Sequence, residues 1–168
     1  MNQKLEDTFL KALEENQQKL IRVCSVYAED EDDKKDLLQE VLANIWQSLP
    51  TFKSNSSLST WMFRITLNVC LRLQSKRDKM KSHFKNMGSI TIANIRSEER
   101  NNDNHDQLNK LIHCIKNLND ADKAVITLYL EELPYNEISD ITGLSENNVA
   151  VKLKRMKNKL LNCINGKS

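Results

Sequence analysis

Several residues near the end of the chain are of the types that read DNA. The segment TGLSENNVAVKLKRMKNKL spans residues 142–160. On a helix that turns by about 100° per residue, one face of this segment carries Asn147, Asn148, Val151, Lys154, Arg155 and Asn158. Asparagine and arginine make bidentate hydrogen bonds to base edges in the major groove, and a small apolar group can contact a thymine methyl. This face therefore predicts DNA binding.

The flanking charges of the same segment favour this interpretation over that of an ordinary solvated helix. Lys152, Lys157 and Lys159 border the face and would meet phosphates. Solvated helices usually mix charges of both signs at a spacing of four residues. Here Glu146 is the only acid after Ser145.

The elements that position this face form a helix-turn-helix pattern. Val149, Leu153, Met156 and Leu160 make an apolar stripe on the opposite side, which must face a core. Gly143 is suited to end the preceding helix, and Ser145 to cap the next one. A helix, a glycine turn and a second helix are typical of a DNA-binding unit.

Charge is unevenly distributed along the 168 residues, although the net charge is only +2. The blocks 1–70, 71–100, 101–145 and 146–168 carry net charges of −3, +5, −5 and +5. Each basic block therefore lies beside an acidic one. This alternation predicts two surfaces for a polyanion and separate acidic surfaces for another partner.

Composition and periodicity predict an all-α protein made of two small helical domains and a flexible linker. We expect domains at 1–85 and 108–168, with a linker at 86–107, where asparagine and aspartate dominate. The segment EDEDD, at 29–33, is interpreted as a charged connector, and Trp46 as a core residue. Asn119 is the expected N-cap of one helix, and Ser59 or Thr60 of another.

Several classes of function are disfavoured by the sequence. No segment approaches the roughly 18 apolar residues of a membrane span, and the N-terminus lacks the features of a signal peptide. We therefore expect a cytoplasmic location and no insertion into the membrane. Cys24, Cys70, Cys114 and Cys163 form no C-x-x-C pair, so we expect small, buried, reduced thiols. Nothing indicates a bound metal, a cofactor or an enzyme's nucleophile–base pair.

Two segments together resemble a known family. Residues 33–73, DKKDLLQEVLANIWQSLPTFKSNSSLSTWMFRITLNVCLRL, closely resemble the second conserved region of bacterial sigma factors of the extracytoplasmic-function (ECF) group. The family motif is carried here by Asp36, Leu37, Gln39, Glu40, Trp46, Thr60, Trp61, Phe63, Arg64, Ile65 and Asn68. Residues 133–160 similarly resemble the family's fourth region. The resemblance implies a dissociable factor that directs core RNA polymerase to promoters.

The resemblance also implies roles for individual residues. Asp36, Gln39 and Glu40, at spacings of three and four, share one helix face, while Leu38, Val41 and Leu42 turn inward. In the family this face binds a coiled coil of the polymerase β′ subunit, and the β subunit is also a partner. Residues implied in recognising and melting the minus-ten element are Phe52, Lys53, Asn55, Trp61, Phe63, Arg64, Asn68, Arg72, Lys76 and Arg77.

The face at the end of the chain corresponds to the reader of the minus-thirty-five element. It comprises Asn147, Asn148, Val151, Lys152, Lys154, Arg155 and Asn158. Leu58, Asn148 and Ala150 depart from residues that are common in the family at these places. The family further implies an anti-sigma factor as a possible partner. The alternative function is a stand-alone helix-turn-helix regulator, which would need a dimerisation surface or a ligand pocket.

Overall fold

The computed structural model describes residues 3–86 and 103–166, and every regular element in those ranges is helical. The elements are α1 (Gln3–Tyr27), α2 (Glu31–Ser48), a 3-10 turn (Leu49–Thr51), α3 (Leu58–Asn86), α4 (Asp103–Lys116), α5 (Asp120–Leu130), α6 (Tyr135–Thr142) and α7 (Glu146–Ile164). The predicted all-α class is confirmed. Of the predicted linker, residues 103–107 lie in α4, and 87–102 lie outside the described residues.

Acidic residues start α2, where a connector was predicted. Asp30 is the N-cap, and its carboxylate accepts a hydrogen bond from the Asp33 amide at 2.8 Å. Glu31, Asp32 and Asp33 fill the first turn, where the helix dipole stabilises negative charge. The connector is therefore shorter than predicted: residues 28–30 link α1 to α2, and the acids at residues 31–33 belong to the helix.

Helix α3 also begins slightly earlier than predicted. The Ser57 hydroxyl accepts a hydrogen bond from the Thr60 amide at 3.1 Å, so Ser57 occupies the capping position. Ser59 and Thr60 lie inside the helix. The predicted N-cap was two to three residues too late, because Ser57 supplies the same capping chemistry one turn earlier.

Helices α1, α2 and α3 share an apolar core. Its fully buried members include Leu20 and Val23 of α1, Val41 and Ile45 of α2, and Met62 of α3. Trp46 was expected in this core, but its side chain is 44% exposed. Its ring packs against Phe9 with centroids 5.5 Å apart, so it covers the edge of the core rather than filling it.

The predicted ends of the C-terminal helices are confirmed. The Asn119 side chain accepts a hydrogen bond from the Asp122 amide at 2.9 Å, and Ser145 accepts one from the Asn148 amide at 3.1 Å. Gly143 ends α6 with φ of 79°, in the left-handed region that favours glycine. The stripe at 149, 153, 156 and 160 is buried, as its periodicity predicted.

Helices α1–α3 form one group and helices α4–α7 a second, and several polar contacts join the two groups. Nε and Nη2 of Arg22 donate to the two carboxylate oxygens of Glu131, each at 2.7 Å. Lys116 Nζ donates to the Ala28 carbonyl at 2.6 Å. Three further contacts cross this interface: Arg64 Nη2 donates to the Asp140 carbonyl at 3.2 Å, Gln74 Nε2 donates to the Asp120 carboxylate at 3.0 Å, and Lys123 Nζ lies 5.4 Å from the Tyr27 ring centroid.

The cysteines differ from the expectation of four reduced thiols. Cys114 of α4 and Cys163 of α7 form a disulfide, with Cα atoms 6.1 Å apart. Cys24 and Cys70 are free and buried, as predicted. The sequence did not indicate the bond because 49 residues separate its two halves, and only the packing of α4 on α7 brings them together.

The burial of residues in α7 predicts that truncating two leucines of this helix will have very different effects on the free energy of unfolding. Leu153 is 1% exposed and Leu161 is 58% exposed. We expect Leu153→Ala to lower the free energy of unfolding by about 2 to 5 kcal/mol, because it removes buried methyl groups and leaves a cavity. The matched Leu161→Ala should change it by no more than about 0.5 kcal/mol. Urea unfolding of both variants measures this, and equal losses would contradict the assigned burial.

Candidate nucleic-acid and polymerase interfaces

The exposed face of α7 contains most of the residues predicted to contact the minus-thirty-five element. Exposed side chains are Asn147, Asn148, Val151, Lys154, Arg155 and Asn158. The buried stripe at 149, 153, 156 and 160 holds this face outward. The arrangement offers amides and cations on one rigid helix, which suits hydrogen bonding to base edges and phosphates.

Lysines beside the α7 face have partners within the protein. Lys152 Nζ lies 3.0 Å from the Asp122 carboxylate, and its side chain is only partly exposed. Lys157 Nζ lies 4.7 Å from the Tyr129 ring centroid. Hydrogen bonding to Tyr129 raises the pKa of Lys157, which keeps this lysine cationic. Lys152 therefore ties α7 to α5, in contrast to the DNA contact predicted for it.

A second stripe of polar residues follows one side of α3. Arg64, Asn68, Arg72 and Lys76 recur at every fourth position, so they lie along neighbouring turns. Asn68, Arg72 and Lys76 are exposed, and Arg64 is half-buried beneath the contact with α6. This stripe matches the predicted minus-ten surface in position and charge.

Arg77 does not belong to that stripe. One Nη atom donates to the Asp33 carboxylate, and the other donates to the Tyr27 carbonyl at 2.7 Å. The side chain thus joins the end of α1 and the start of α2 to α3. The prediction that Arg77 faces DNA is corrected here, because residue 77 lies about 100° around the helix from Lys76 and its donors are satisfied internally.

The loop that holds Phe52, Lys53 and Asn55 of the predicted minus-ten set lies between the 3-10 turn and α3. Lys53 and Asn55 are exposed, and the Phe52 ring packs on Trp61 with centroids 5.2 Å apart. Ser54 has φ of 60°, so the loop turns sharply between its two polar side chains. The loop therefore presents an amide and a cation beside an aromatic pair.

The two aromatics of α3 have different environments. Trp61 is partly exposed, whereas Phe63 is only 2% exposed. Phe63 was predicted to face DNA with Trp61, but in this structure its ring presents no surface to a ligand. Successive residues on α3 diverge by about 100°, which places residue 63 on the buried side.

An acidic face on α2 contains the predicted polymerase-binding residues. Asp36, Gln39 and Glu40 are exposed, while the neighbouring residues Leu37 and Val41 are buried. Glu40 lies 3.4 Å from Arg72 of α3, so the acidic face borders the cationic stripe.

Two exposed residues extend the α2 face beyond the predicted set. Asp32 lies one turn before Asp36, and Trp46 lies two turns beyond Gln39. The spacing of four would have indicated Asp32, but the connector interpretation concealed it. The face thus runs along most of α2.

Family models match both halves of the chain. The model for Sigma-70 region 2 matches residues 12–80, and that for Sigma-70 region 4 matches residues 108–160. Together these matches span most of the chain. The chain belongs to the sigma-70 family. Sigma factors of this family are initiation factors that direct RNA polymerase to promoters, and the predicted ECF sigma factor is confirmed. The alternative of a stand-alone regulator is not better supported, because it leaves the region 2 match unexplained.

Curated relatives carry the same family name. RNA polymerase sigma factor SigV of Bacillus subtilis (strain 168) is 22% identical over 141 residues, covering 84% of this chain and 81% of SigV. ECF RNA polymerase sigma factor SigG of Mycobacterium tuberculosis (strain ATCC 25618 / H37Rv) is 46% identical over 39 residues, covering 23% of this chain and 10% of SigG.

Solved structures of sigma factors share the fold of the whole chain. CnrH, in complex with the cytosolic domain of CnrY, has a TM-score of 0.70 and 18% identity, covering 97% of this chain and 91% of CnrH. The sigma factor RpoE of Bartonella quintana, in complex with the anti-sigma factor NepR, also has a TM-score of 0.70 and 18% identity, with 98% of each chain covered.

Adjacent cations on α3 should respond differently to neutralisation. Because Lys76 is exposed on the cationic stripe, Lys76→Gln should reduce the salt-dependence slope of promoter binding by about 0.9 log unit if it contacts one phosphate. Arg77→Gln should leave that slope unchanged and lower the unfolding midpoint, because it loses its partners on α1 and α2. Promoter titrations of the holoenzyme at several salt concentrations test this. A reduced slope for Arg77→Gln alone would contradict the assignment.

Proposed function

We propose that this sigma factor uses three separate surfaces: the acidic face of α2 for core RNA polymerase, the α3 stripe with its preceding loop for the minus-ten element, and the α7 face for the minus-thirty-five element. The observation that carries the proposal is that most residues of each of the three sets are exposed, on a chain whose two halves match region 2 and region 4. The proposed domains are residues 1–85 and 108–168, joined by 86–107.

The α2 face has the chemistry needed for a basic partner. Asp32, Asp36 and Glu40 place three carboxylates along adjacent turns, and Gln39 adds an amide. Complementary charge speeds encounter and sets the orientation of a complex. A basic coiled coil of the β′ subunit fits this surface, and the β subunit is a second proposed contact.

Binding to both promoter elements requires the two groups of helices to separate. The elements are centred roughly 25 base pairs apart, which is about 85 Å of duplex at about 3.4 Å per base pair. A 19-residue helix such as α7 is only about 28 Å long. We infer that the Arg22–Glu131 pair breaks on promoter DNA and that Arg64, released from the Asp140 carbonyl, becomes available to the minus-ten surface.

The remaining proposals concern location, chemistry and control. Among the described residues, no helix is both long enough and apolar enough to cross a membrane. A factor that acts on RNA polymerase and DNA works in the bacterial cytoplasm, and it contributes specificity rather than catalysis. CnrH and RpoE are each in complex with another protein, an anti-sigma factor in the case of RpoE. An anti-sigma factor is accordingly a proposed partner of this chain.

Charge reversal on α2 tests the polymerase surface. Asp36→Lys with Glu40→Lys should weaken binding to core RNA polymerase at least tenfold, or about 1.4 kcal/mol, because like charges would face each other. The matched control is Glu14→Lys with Glu15→Lys, which makes the same charge change on exposed residues of α1. Titration of core enzyme with labelled protein measures both. Equal weakening by the two double variants would mean that only net charge matters.

Two cations of α7 should differ in how they affect sequence preference. Arg155→Ala should weaken binding to the preferred minus-thirty-five element by about 1 to 3 kcal/mol and relax the preference at one base position. Lys159→Ala, at the border of the face, should weaken binding evenly across sequences. The measurement is a holoenzyme binding series over single-base variants of the element. An identical preference for wild type and Arg155→Ala would refute base reading by Arg155.

A further inference from the structure

The two cysteine pairs of this protein differ in accessibility. Cys114 is 5% exposed on α4, whereas its disulfide partner Cys163 is an exposed residue on the last turn of α7. Cys24 and Cys70 are both fully buried, on α1 and α3. Hydrogen bonding to Cys24 and burial raise the pKa of the Cys70 thiol, which keeps it protonated and unreactive.

The disulfide encloses the whole helix-turn-helix unit. Its halves are 49 residues apart, so the closed loop contains α5, α6 and nearly all of α7. A cross-link of this span restricts the unfolded chain and stabilises the folded domain.

The bond also joins α4 to the C-terminal end of α7, where the residues are exposed. Leu160 is the last buried residue of α7, and residues 161–166 are all exposed. The bond to Cys114 links this exposed end of the helix covalently to α4. Reduction therefore releases the C-terminal end of α7, the helix whose exposed face we assign to DNA.

Cellular redox chemistry gives this bond a role beyond stability. Disulfides are rare in the cytosol, and those that do occur there are usually transient and either catalytic or redox-sensing. We propose that Cys114 and Cys163 form a reversible thiol–disulfide site, at which a cellular dithiol and a disulfide oxidant interconvert two forms of the domain with different affinity for the minus-thirty-five element. This inference rests on the proposed function of α7.

The exchange follows from the exposure of Cys163, the more accessible half of the bond. A thiolate of the reductant attacks Cys163 Sγ, the S–S bond breaks, and Cys114 leaves as a thiolate that takes up a proton. The second thiol of the reductant, once deprotonated, then attacks its own sulfur in the mixed disulfide and releases Cys163, which is protonated in turn. The reductant becomes a disulfide, and two electrons and two protons end on the cysteines. A small-molecule disulfide reverses the sequence.

The first measurement counts thiols in the full-length chain. One sample is treated with oxidised glutathione, which is then removed, and a second sample is treated with dithiothreitol, which is also removed. Both are unfolded in iodoacetamide without reductant. The oxidised sample should show two alkylated cysteines, and the reduced sample should show four. Four alkylated cysteines in the oxidised sample would overturn the proposal. This count does not depend on DNA binding.

The second measurement compares stability and DNA binding in both forms. Reduction should lower the unfolding midpoint of the C-terminal domain by roughly 5 °C or more. It should weaken binding of the minus-thirty-five duplex about threefold or more, since apparent affinity scales with the fraction of domain that is competent to bind. A lower midpoint with unchanged affinity would overturn the control of DNA binding.

Cys163→Ser separates this bond from the other pair. The substitution changes an exposed side chain, so the domain should fold, resemble reduced wild type and no longer respond to dithiothreitol. Cys24→Ala should still respond. A response in Cys163→Ser equal to that of wild type would place the effect at Cys24 and Cys70 and overturn the proposal. If the thiol counts and unfolding midpoints are as expected but neither form binds DNA, the function proposed for α7 is refuted instead.

Discussion

The ion pair between Arg22 and Glu131 neutralises a buried carboxylate where the two groups of helices meet. Glu131 is only 6% exposed, and both of its oxygens accept hydrogen bonds from the same guanidinium. A buried carboxylate is costly unless a donor meets it. Hydrogen bonding to Glu131 also raises the pKa of Arg22, so the guanidinium stays charged. Together with the Lys116 and Arg64 contacts, this pair joins the two groups of helices in the arrangement that covers Arg64.

Basic residues in this protein serve both folding and DNA binding. Arg77 holds α1 and α2 to α3, Lys152 ties α7 to α5, and Lys116 bridges the two groups of helices. The exposed cations that remain, such as Lys76 and Arg155, form the candidate DNA surfaces. Net charge along the sequence therefore located helices that carry exposed cations, but it overstated how many of their cations face outward.

Features set by local chemistry were predictable from the sequence. The caps at Asn119 and Ser145, the glycine at 143 and the stripe of α7 each depend on residues within one or two turns. Features set by distant neighbours were not. Arg77 meets an acid 44 positions earlier, and Cys114 meets Cys163 across the domain. A helical projection of α3 would still have separated Arg77 from Arg72 and Lys76, because residue 77 does not follow the four-residue repeat of the cationic stripe on α3.

Two contacts across the interface between the two groups of helices end on main-chain oxygens rather than side chains. Arg64 donates to the Asp140 carbonyl, and Lys116 donates to the Ala28 carbonyl. Any amino acid at position 28 or 140 supplies the same acceptor, so drift at these sites leaves the contacts intact. Covariation between paired positions would therefore reveal the Arg22–Glu131 contact but miss these two. Among relatives, the packed arrangement can persist while these two contacts leave no trace of correlated substitution.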